Sequence, residues 1–195
     1  MEVEFKNGKI LLTNKVMNAL DEFVLQVSKI LEKHVDYVIV SGYVAILFGR
    51  SRGTEDIDFV IKTLSKEEFL ELYEDFLGNG FEFINSDDPH ELYTMLRDGM
   101  AIRVSRTGEI FPNAELKFPK DEFHRGALEI RILVDAGQLR VYISPLELQI
   151  AYKLYLGTDK DFEDAYFLYE LFKDNLDTQK LKRWCTRLGV DPIEE

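Results

Sequence analysis

The sequence has one cysteine, five prolines and no long apolar run. The single Cys185 excludes an internal disulfide and a thiolate metal site, and we expect it to be a small, semi-buried side chain. No apolar run approaches the roughly 20 residues that a membrane-spanning helix needs. The N-terminal stretch also lacks the basic start and apolar centre of a signal peptide. We therefore expect a cytoplasmic protein without a membrane partner.

Positive charge is scarce as well, with 24 lysines and arginines against 36 aspartates and glutamates, a formal net charge of -12. This balance disfavours unspecific attraction to nucleic acid or anionic lipid. The apolar fraction of 46% and the aromatic fraction of 12% are those of a globular protein. At 195 residues, the chain is long enough for one well-buried core or a core with a helical annex.

Several catalytic signatures are absent from the sequence. It contains no G-x-x-x-x-G-K-[ST], no G-x-G-x-x-G and no H-E-x-x-H, which leaves P-loop, dinucleotide-binding and zinc-protease interpretations without support. The histidines His34, His90 and His124 are scattered singly, and we expect them at the surface or in helix caps.

The periodicity of apolar residues alternates between helix and strand up to about residue 143 and is helical afterwards. We predict a first helix over 14–34, with a Thr13/Asn14 cap and Val16 on its apolar stripe. A capping box from Ser65 to Glu68 and the pair Asp88-Pro89 predict two further helix starts. Predicted strands cover 35–40, 55–61, 81–84, 101–104, 114–118, 129–134 and 139–143. Ser144 and Glu147 are predicted to form a second capping box, with Pro145 at the first helical position. We therefore expect residues 1–143 to form an α/β core with an N-terminal helix, and residues 144–195 to form a helical segment packed on it as part of one structural unit.

The strand at 55–61 carries two aspartates. Asp56 and Asp58 share one face, while Ile57 and Phe59 share the apolar face. Two residues along a strand span roughly 6.5–7 Å, so the two carboxylates can converge on one site, where their repulsion favours a divalent cation such as Mg²⁺ or Mn²⁺. The alternative is a solvent-facing strand end on which the acidic pair only aids solubility.

A tight turn of small residues, Ser41-Gly42, joins the strand at 35–40 to a short helix over 43–49. Backbone N–H groups at such a turn can cradle a phosphate. The alternative is a compact connection between strand and helix. Because the turn and the acidic pair lie on two consecutive strands, they could flank one site.

Residues 37–61 resemble the signature of the nucleotidyltransferase superfamily with the DNA polymerase β-type fold. The resemblance is greatest to its minimal, abortive-infection toxin-like branch, in which R-x-T-x-D-x-D is typical; here this motif is Arg52, Thr54, Asp56 and Asp58. Residues 143–172 resemble the helical segment of the same branch. One departure is Ser41-Gly42 in place of the usual glycine pair or Gly-Ser order. The resemblance implies an α/β (α+β) fold, in which helices flank a mixed sheet and a helical layer follows.

The resemblance also implies a third carboxylate on a neighbouring strand, which would act with Asp56 and Asp58 as catalytic residue and metal ligand. We prefer Glu115, which shares a face with Lys117. Glu129 and Asp135 are alternatives.

For nucleotide binding, the resemblance and the motifs indicate Ser41, Gly42, Arg52, Thr54, Lys153 and Lys160. Other interpretations stay open for several of them. Arg50 is expected to be a surface-loop arginine, and Lys160 and Asp164 are spaced for an ordinary ion pair along a helix. Lys153 is the better candidate for a triphosphate contact, because it interrupts an apolar run.

The activity implied by the resemblance is a Mg²⁺- or Mn²⁺-dependent transfer of a nucleoside monophosphate from a nucleoside triphosphate, such as ATP, with release of pyrophosphate. The acceptor could be a tRNA end, a protein or a small molecule, and a toxin-like member could have an antitoxin partner. The alternative is a non-catalytic relative that binds a nucleotide or a protein.

Overall fold

The structure of the chain, a computed structural model, describes residues 1–6 and 8–193. The strands of these residues are β1 (Glu2–Lys6), β2 (Lys9–Thr13), β3 (Tyr37–Val40), β4 (Asp56–Ile61), β5 (Phe81–Phe83), β6 (Ile102–Arg106), β7 (Asn113–Lys117), β8 (Ile132–Asp135) and β9 (Arg140–Ile143). The helices are α1 (Ala19–His34), α2 (Gly42–Leu47), α3 (Lys66–Gly78), α4 (Pro89–Arg97), α5 (Glu122–Glu129), α6 (Leu146–Leu156), α7 (Asp159–Phe172) and α8 (Thr178–Leu188).

The strands of the described residues form one mixed sheet in the order β1-β2-β8-β9-β3-β4-β7-β6-β5. β3 and β4 are antiparallel neighbours, and β4 pairs in parallel with β7. The main hydrophobic core contains Ile39 and Phe59 of the sheet together with Ile150, Leu168 and Leu181 of the last three helices. The sheet and the C-terminal helices therefore share one core. None of the helices within residues 1–6 and 8–193 has the length and apolar character of a membrane-spanning segment.

A second, smaller apolar cluster lies on the other face of β3 and β4. Val38, Val40 and Val60 pack there with Ala127 of α5 and Leu148 of α6. The alternation of side chains along these strands thus places apolar residues on both faces near the middle of the sheet.

Local capping signals predicted two helix starts correctly. Ser65 Oγ accepts from the backbone N–H of Glu68 at 3.3 Å, and Glu68 Oε2 accepts from that of Ser65 at 2.7 Å. Asp88 caps α4, where Pro89 occupies the first turn.

The predicted start of the first helix is wrong. Glu2–Lys6 and Lys9–Thr13 pair as the antiparallel strands β1 and β2, Val16 is 86% exposed, and Asn14 has a φ of 58° that interrupts a helix. The helix begins only at Ala19, because Asn18 and Asp21 form a capping box that satisfies its first N–H groups. No sequence pattern predicted β1 or β2. β2 pairs in parallel with β8 and thereby joins β1 to the sheet.

Two further boundaries are corrected. The predicted strand over 129–134 begins too early, because its first residues are the end of α5 and the link after it. At the start of α5, Asp121 caps the helix by accepting from the His124 N–H at 2.9 Å. His124 is buried and is part of this helix cap, as one of the two expected placements has it: its Nδ1 also lies 2.7 Å from Asp121 Oδ1. The capping box expected at Ser144 does not form, because Glu147 Oε1 instead accepts from the backbone N–H of Asp177 at the start of α8.

Candidate active site

The acidic residues of β4 alternate with residues of the main core. Ile57 and Phe59 are fully buried, whereas Asp56 and Asp58 stay partly exposed. The strand face predicted from the sequence is therefore confirmed, and the two carboxylates lie on the face away from the main core.

Glu115 lies directly beside Asp58 on the neighbouring strand. β4 and β7 pair in parallel with Asp58 opposite Glu115, and paired residues project from the same face. Asp56, Asp58 and Glu115 thus share one face, which we call the acidic face. The two alternatives lie elsewhere: Glu129 ends α5, and Asp135 ends β8, which β9 and β3 separate from β4.

Basic side chains already hold two carboxylates of the acidic face. Lys117 Nζ donates to Asp58 Oδ1 at 2.6 Å. Arg103 donates to Glu115 Oε1 from Nε at 2.9 Å and from Nη2 at 2.6 Å. Within residues 1–6 and 8–193, no group of three or more histidine, cysteine, aspartate or glutamate side chains is arranged to hold a metal ion as it stands. Carboxylate oxygens are the ligands that Mg²⁺ and Mn²⁺ prefer, and the three carboxylates share one face, but Lys117 and Arg103 hold two of them in this structure.

Lys117 and Arg103 are charged partners of these carboxylates. Burial would lower the pKa of Lys117, but the charge of Asp58 and its hydrogen bond raise that pKa above its ordinary value. The hydrogen bond and charge of Glu115 likewise raise the pKa of Arg103. Alternation along β7 already placed Lys117 on the face of Glu115, but no local signal indicated Arg103, because its pairing depends on the β6–β7 register.

The Ser41-Gly42 turn lies next to the acidic face. Val40 is paired with Asp58, so the turn follows directly after the residue opposite this carboxylate. Ser41 has φ 66° and ψ -136°, a conformation that only glycine adopts readily. Gln149 of α6 holds this residue: its Oε1 accepts from the Ser41 N–H at 3.1 Å, and its Nε2 donates to the Ser41 carbonyl at 2.8 Å. The Ser41 N–H is therefore already hydrogen-bonded within the protein, and no local pattern in the sequence indicated Gln149.

Arg52 packs directly on Gly42. A Cβ at position 42 would come within 3.1–3.2 Å of the Arg52 guanidinium, so the missing side chain makes room for it. Arg52 Nη1 also donates to Asp164 Oδ2 at 2.5 Å. Arg50 donates to the other Asp164 oxygen and, at 2.5 Å, to Glu163 Oε2. The expectation of a surface-loop arginine is wrong for Arg50, whose side chain is only 15% exposed.

Lys153 is the third cation bound to the fully buried Asp164. Its Nζ lies 3.0 Å from Asp164 Oδ2 and 2.5 Å from Asp161 Oδ1, and the residue is 2% exposed. Its charge is therefore balanced by two carboxylates inside the protein. The helical ion pair expected between Lys160 and Asp164 is not among the ion pairs of the described residues, because Asp164 is bonded to Arg50, Arg52 and Lys153 instead.

A cleft of about 720 Å³ opens beside Asp56. Residues 50–56 line it on one side, and Lys160 and Glu163 of α7 line it on the other. Thr54 Oγ1 donates to the backbone carbonyl of Asp56 at 2.8 Å and thereby fixes the entry to β4. The cleft is polar, and its lining includes Asp56 of the acidic face and Arg52, which packs on Gly42.

Comparison with solved structures identifies the fold. The sequence matches no protein-family model and no curated protein. The crystal structure of an antigenic nucleotidyltransferase-like protein from Paracoccidioides brasiliensis is similar with a TM-score of 0.55 and 20% identity, over 87% of this chain and 86% of that chain. The crystal structure of ANT(2'')-Ia in complex with adenylyl-2''-tobramycin is similar with a TM-score of 0.54 and 13% identity, over 88% of this chain and 98% of that chain. The chain thus has a nucleotidyltransferase-like fold, and the fold predicted from the sequence is confirmed.

Proposed function

We propose that the chain is a nucleotidyltransferase, which transfers a nucleoside monophosphate from a nucleoside triphosphate to an acceptor and releases pyrophosphate. One geometric relationship carries the proposal. Val40 on β3 pairs with Asp58 on β4, and Asp58 pairs in turn with Glu115 on β7. The Ser41-Gly42 turn, the two aspartates and the third carboxylate therefore adjoin one another.

In this proposal Asp56, Asp58 and Glu115 hold Mg²⁺ or Mn²⁺. A bound divalent cation would stabilise negative charge on the attacking and leaving oxygens of the transfer at the α-phosphate. Glu115 would also orient the acceptor hydroxyl and accept its proton. These roles need the two carboxylates to leave Lys117 and Arg103.

The remaining cations act on the triphosphate in different ways. Arg52 and the exposed Lys160 line the cleft and would bind phosphate oxygens. Lys153 would act indirectly, because its ammonium group holds Asp164, which in turn holds the Arg52 guanidinium. Gly42 would keep the space in which this guanidinium lies.

The acceptor is a small molecule, a tRNA end or a protein hydroxyl. The similar structure of ANT(2'')-Ia carries an adenylylated small molecule, so small molecules with several hydroxyl groups are the first class to test. A toxin-like enzyme with a macromolecular acceptor and an antitoxin partner is a narrower form of the same hypothesis.

The direct test is transfer of label. The full chain is incubated with each nucleoside triphosphate labelled at the α-phosphate, with Mg²⁺ or Mn²⁺, and with separate pools of small hydroxylated molecules, tRNA and protein. We expect a labelled acceptor in one pool, with loss of the label in Asp58→Asn and retention in Asp98→Asn. Asp98 is a matched control because it is an exposed carboxylate at the end of α4.

A non-catalytic nucleotide binder is the second candidate function. The observation that favours it is the engagement of Asp58 by Lys117 and of Glu115 by Arg103. A binder predicts saturable triphosphate binding without pyrophosphate release or a labelled acceptor in any pool. Release of pyrophosphate that depends on Asp58 would exclude it.

A further inference from the structure

Two ion pairs on the acidic face have a common geometry. In each pair, a carboxylate expected to bind a cation accepts a short hydrogen bond from a basic side chain of the same sheet. Asp58 and Lys117 are joined at 2.6 Å, with side chains 20% and 22% exposed. Glu115 and Arg103 are joined at 2.6 Å, with Glu115 16% exposed. Both contacts are therefore largely removed from solvent on the carboxylate side.

The positions of the two basic residues follow from the register of three strands. Lys117 lies two positions after Glu115 on β7, beside the strand that carries Asp58. Arg103 is paired with Glu115 across β6 and β7. Because backbone pairing fixes these positions, the two cations are part of the acidic face.

We propose that Lys117 and Arg103 are positioning residues that hold Asp58 and Glu115 in the cation-free protein and give them up when a divalent cation binds with the nucleotide. This inference rests on the proposed function. Each pair occupies one oxygen of its carboxylate, Oδ1 of Asp58 and Oε1 of Glu115. A divalent cation that takes this oxygen displaces the basic side chain, and a cation on the other oxygen lies close to that side chain's positive charge. In either case the divalent cation competes with a positive partner.

The exchange couples the divalent cation to the triphosphate. A divalent cation bound alone leaves the ammonium group of Lys117 without its carboxylate and close to another positive charge, which opposes binding. A triphosphate supplies new anionic partners for the released side chain. The wild-type chain should therefore bind Mn²⁺ weakly alone and more tightly when a triphosphate is present.

The test measures Mn²⁺ binding, not activity. Electron paramagnetic resonance of free Mn²⁺ gives the dissociation constant for the full chain, with and without a non-hydrolysable triphosphate analogue. Lys117→Met and Arg103→Gln each remove one basic partner. Lys120→Met is the matched control, because it removes the same charge from an exposed residue on the link after β7. Thermal unfolding of each variant without metal verifies folding, and Arg103→Gln carries the test if Lys117→Met does not fold.

We expect Lys117→Met and Arg103→Gln to bind Mn²⁺ alone at least about tenfold more tightly than the wild type, the size expected for removing a charge a few ångströms from a divalent cation. Lys120→Met should bind as the wild type does. The gain from adding the triphosphate analogue should shrink in both site variants.

Two results would overturn the inference, and they differ in what they say about the proposed function. If the wild type binds Mn²⁺ through Asp58, and the site variants bind it equally or more weakly, then Lys117 and Arg103 do not compete with the cation, and the proposed transferase stands. If neither the wild type nor any variant binds Mn²⁺, even with the triphosphate analogue, the metal-dependent function and the inference both fail.

Discussion

Gln149 forms two hydrogen bonds with the backbone of one residue, Ser41, which lies 108 positions earlier in the chain. One bond satisfies the N–H and the other satisfies the carbonyl. Helix α6 therefore holds the turn beside the acidic face directly, and the helical segment is part of the candidate site.

Replacing Gln149 with leucine should destabilise the protein. The change leaves the Ser41 N–H and carbonyl without their partner, and because Gln149 is only 1% exposed, water does not readily replace it. We expect a loss of about 2–3 kcal/mol in the free energy of unfolding. Urea unfolding followed by circular dichroism measures this loss. Gln138→Leu, at an exposed turn, should change stability little; equal stability of the two variants would contradict the assigned role of Gln149.

Ser41→Gly should stabilise the protein. The φ of 66° and ψ of -136° at Ser41 are costly for a residue with a Cβ, and glycine would relieve this backbone strain by about 1–3 kcal/mol. This relief exceeds the roughly 0.4–1 kcal/mol by which glycine stabilises the unfolded chain through its greater conformational entropy. We expect a net gain of about 1 kcal/mol in denaturant unfolding. Ser51→Gly, in an exposed loop, lacks this benefit, and a similar gain there would argue against strain at Ser41.

Gly42→Ala should weaken triphosphate binding with a smaller effect on stability. The new Cβ would lie 3.1 Å from Arg52 Nη2, so the guanidinium must move. We expect a loss of affinity of about tenfold, the size of one charged hydrogen bond. Isothermal titration with a triphosphate measures it. Gly53→Ala, where a Cβ meets nothing within 4 Å, should bind as the wild type does.

Asp164→Asn should be strongly destabilising. Asp164 is fully buried and is bonded to Arg50, Arg52 and Lys153. A neutral amide leaves these cations undercompensated, for which we expect a loss of about 3 kcal/mol. Chemical denaturation gives the value, with the exposed Asp174→Asn as the matched control. If Asp164→Asn lost no more unfolding free energy than Asp174→Asn, the three cations would have to be compensated by other partners.

The two aspartates of β4 should differ in their effect on stability without metal. Asp58→Asn leaves Lys117 without its partner and should cost about 1 kcal/mol, as expected for a partly exposed pair. Asp56 has no ion-pair partner in the described residues, so Asp56→Asn should be neutral or slightly stabilising. Thermal melts in chelator-treated buffer test this difference, and the opposite order would show that the Asp58–Lys117 pair is not a stabilising contact.

Short-range patterns in the sequence predicted much of the fold. Alternation along β4 placed Asp56 and Asp58 on one face, and the Ser65 and Asp88 caps marked two helix starts, because each of these features depends on residues only a few positions apart. The same local reasoning failed at Ser144, where the carboxylate of Glu147 binds the start of α8 instead of its own helix. It also missed the β1–β2 hairpin and α5.

Local sequence patterns were sufficient to place the two carboxylates on one face of β4 and to indicate that the chain is helical after residue 143. Three relationships exist only in the folded chain: Glu115 lies beside Asp58, Lys117 and Arg103 hold these two carboxylates, and Asp164 and Gln149 hold Arg52 and Ser41. These contacts depend on strand order, register and helix packing. Such features are set by burial of the whole core, so no local pattern encodes them.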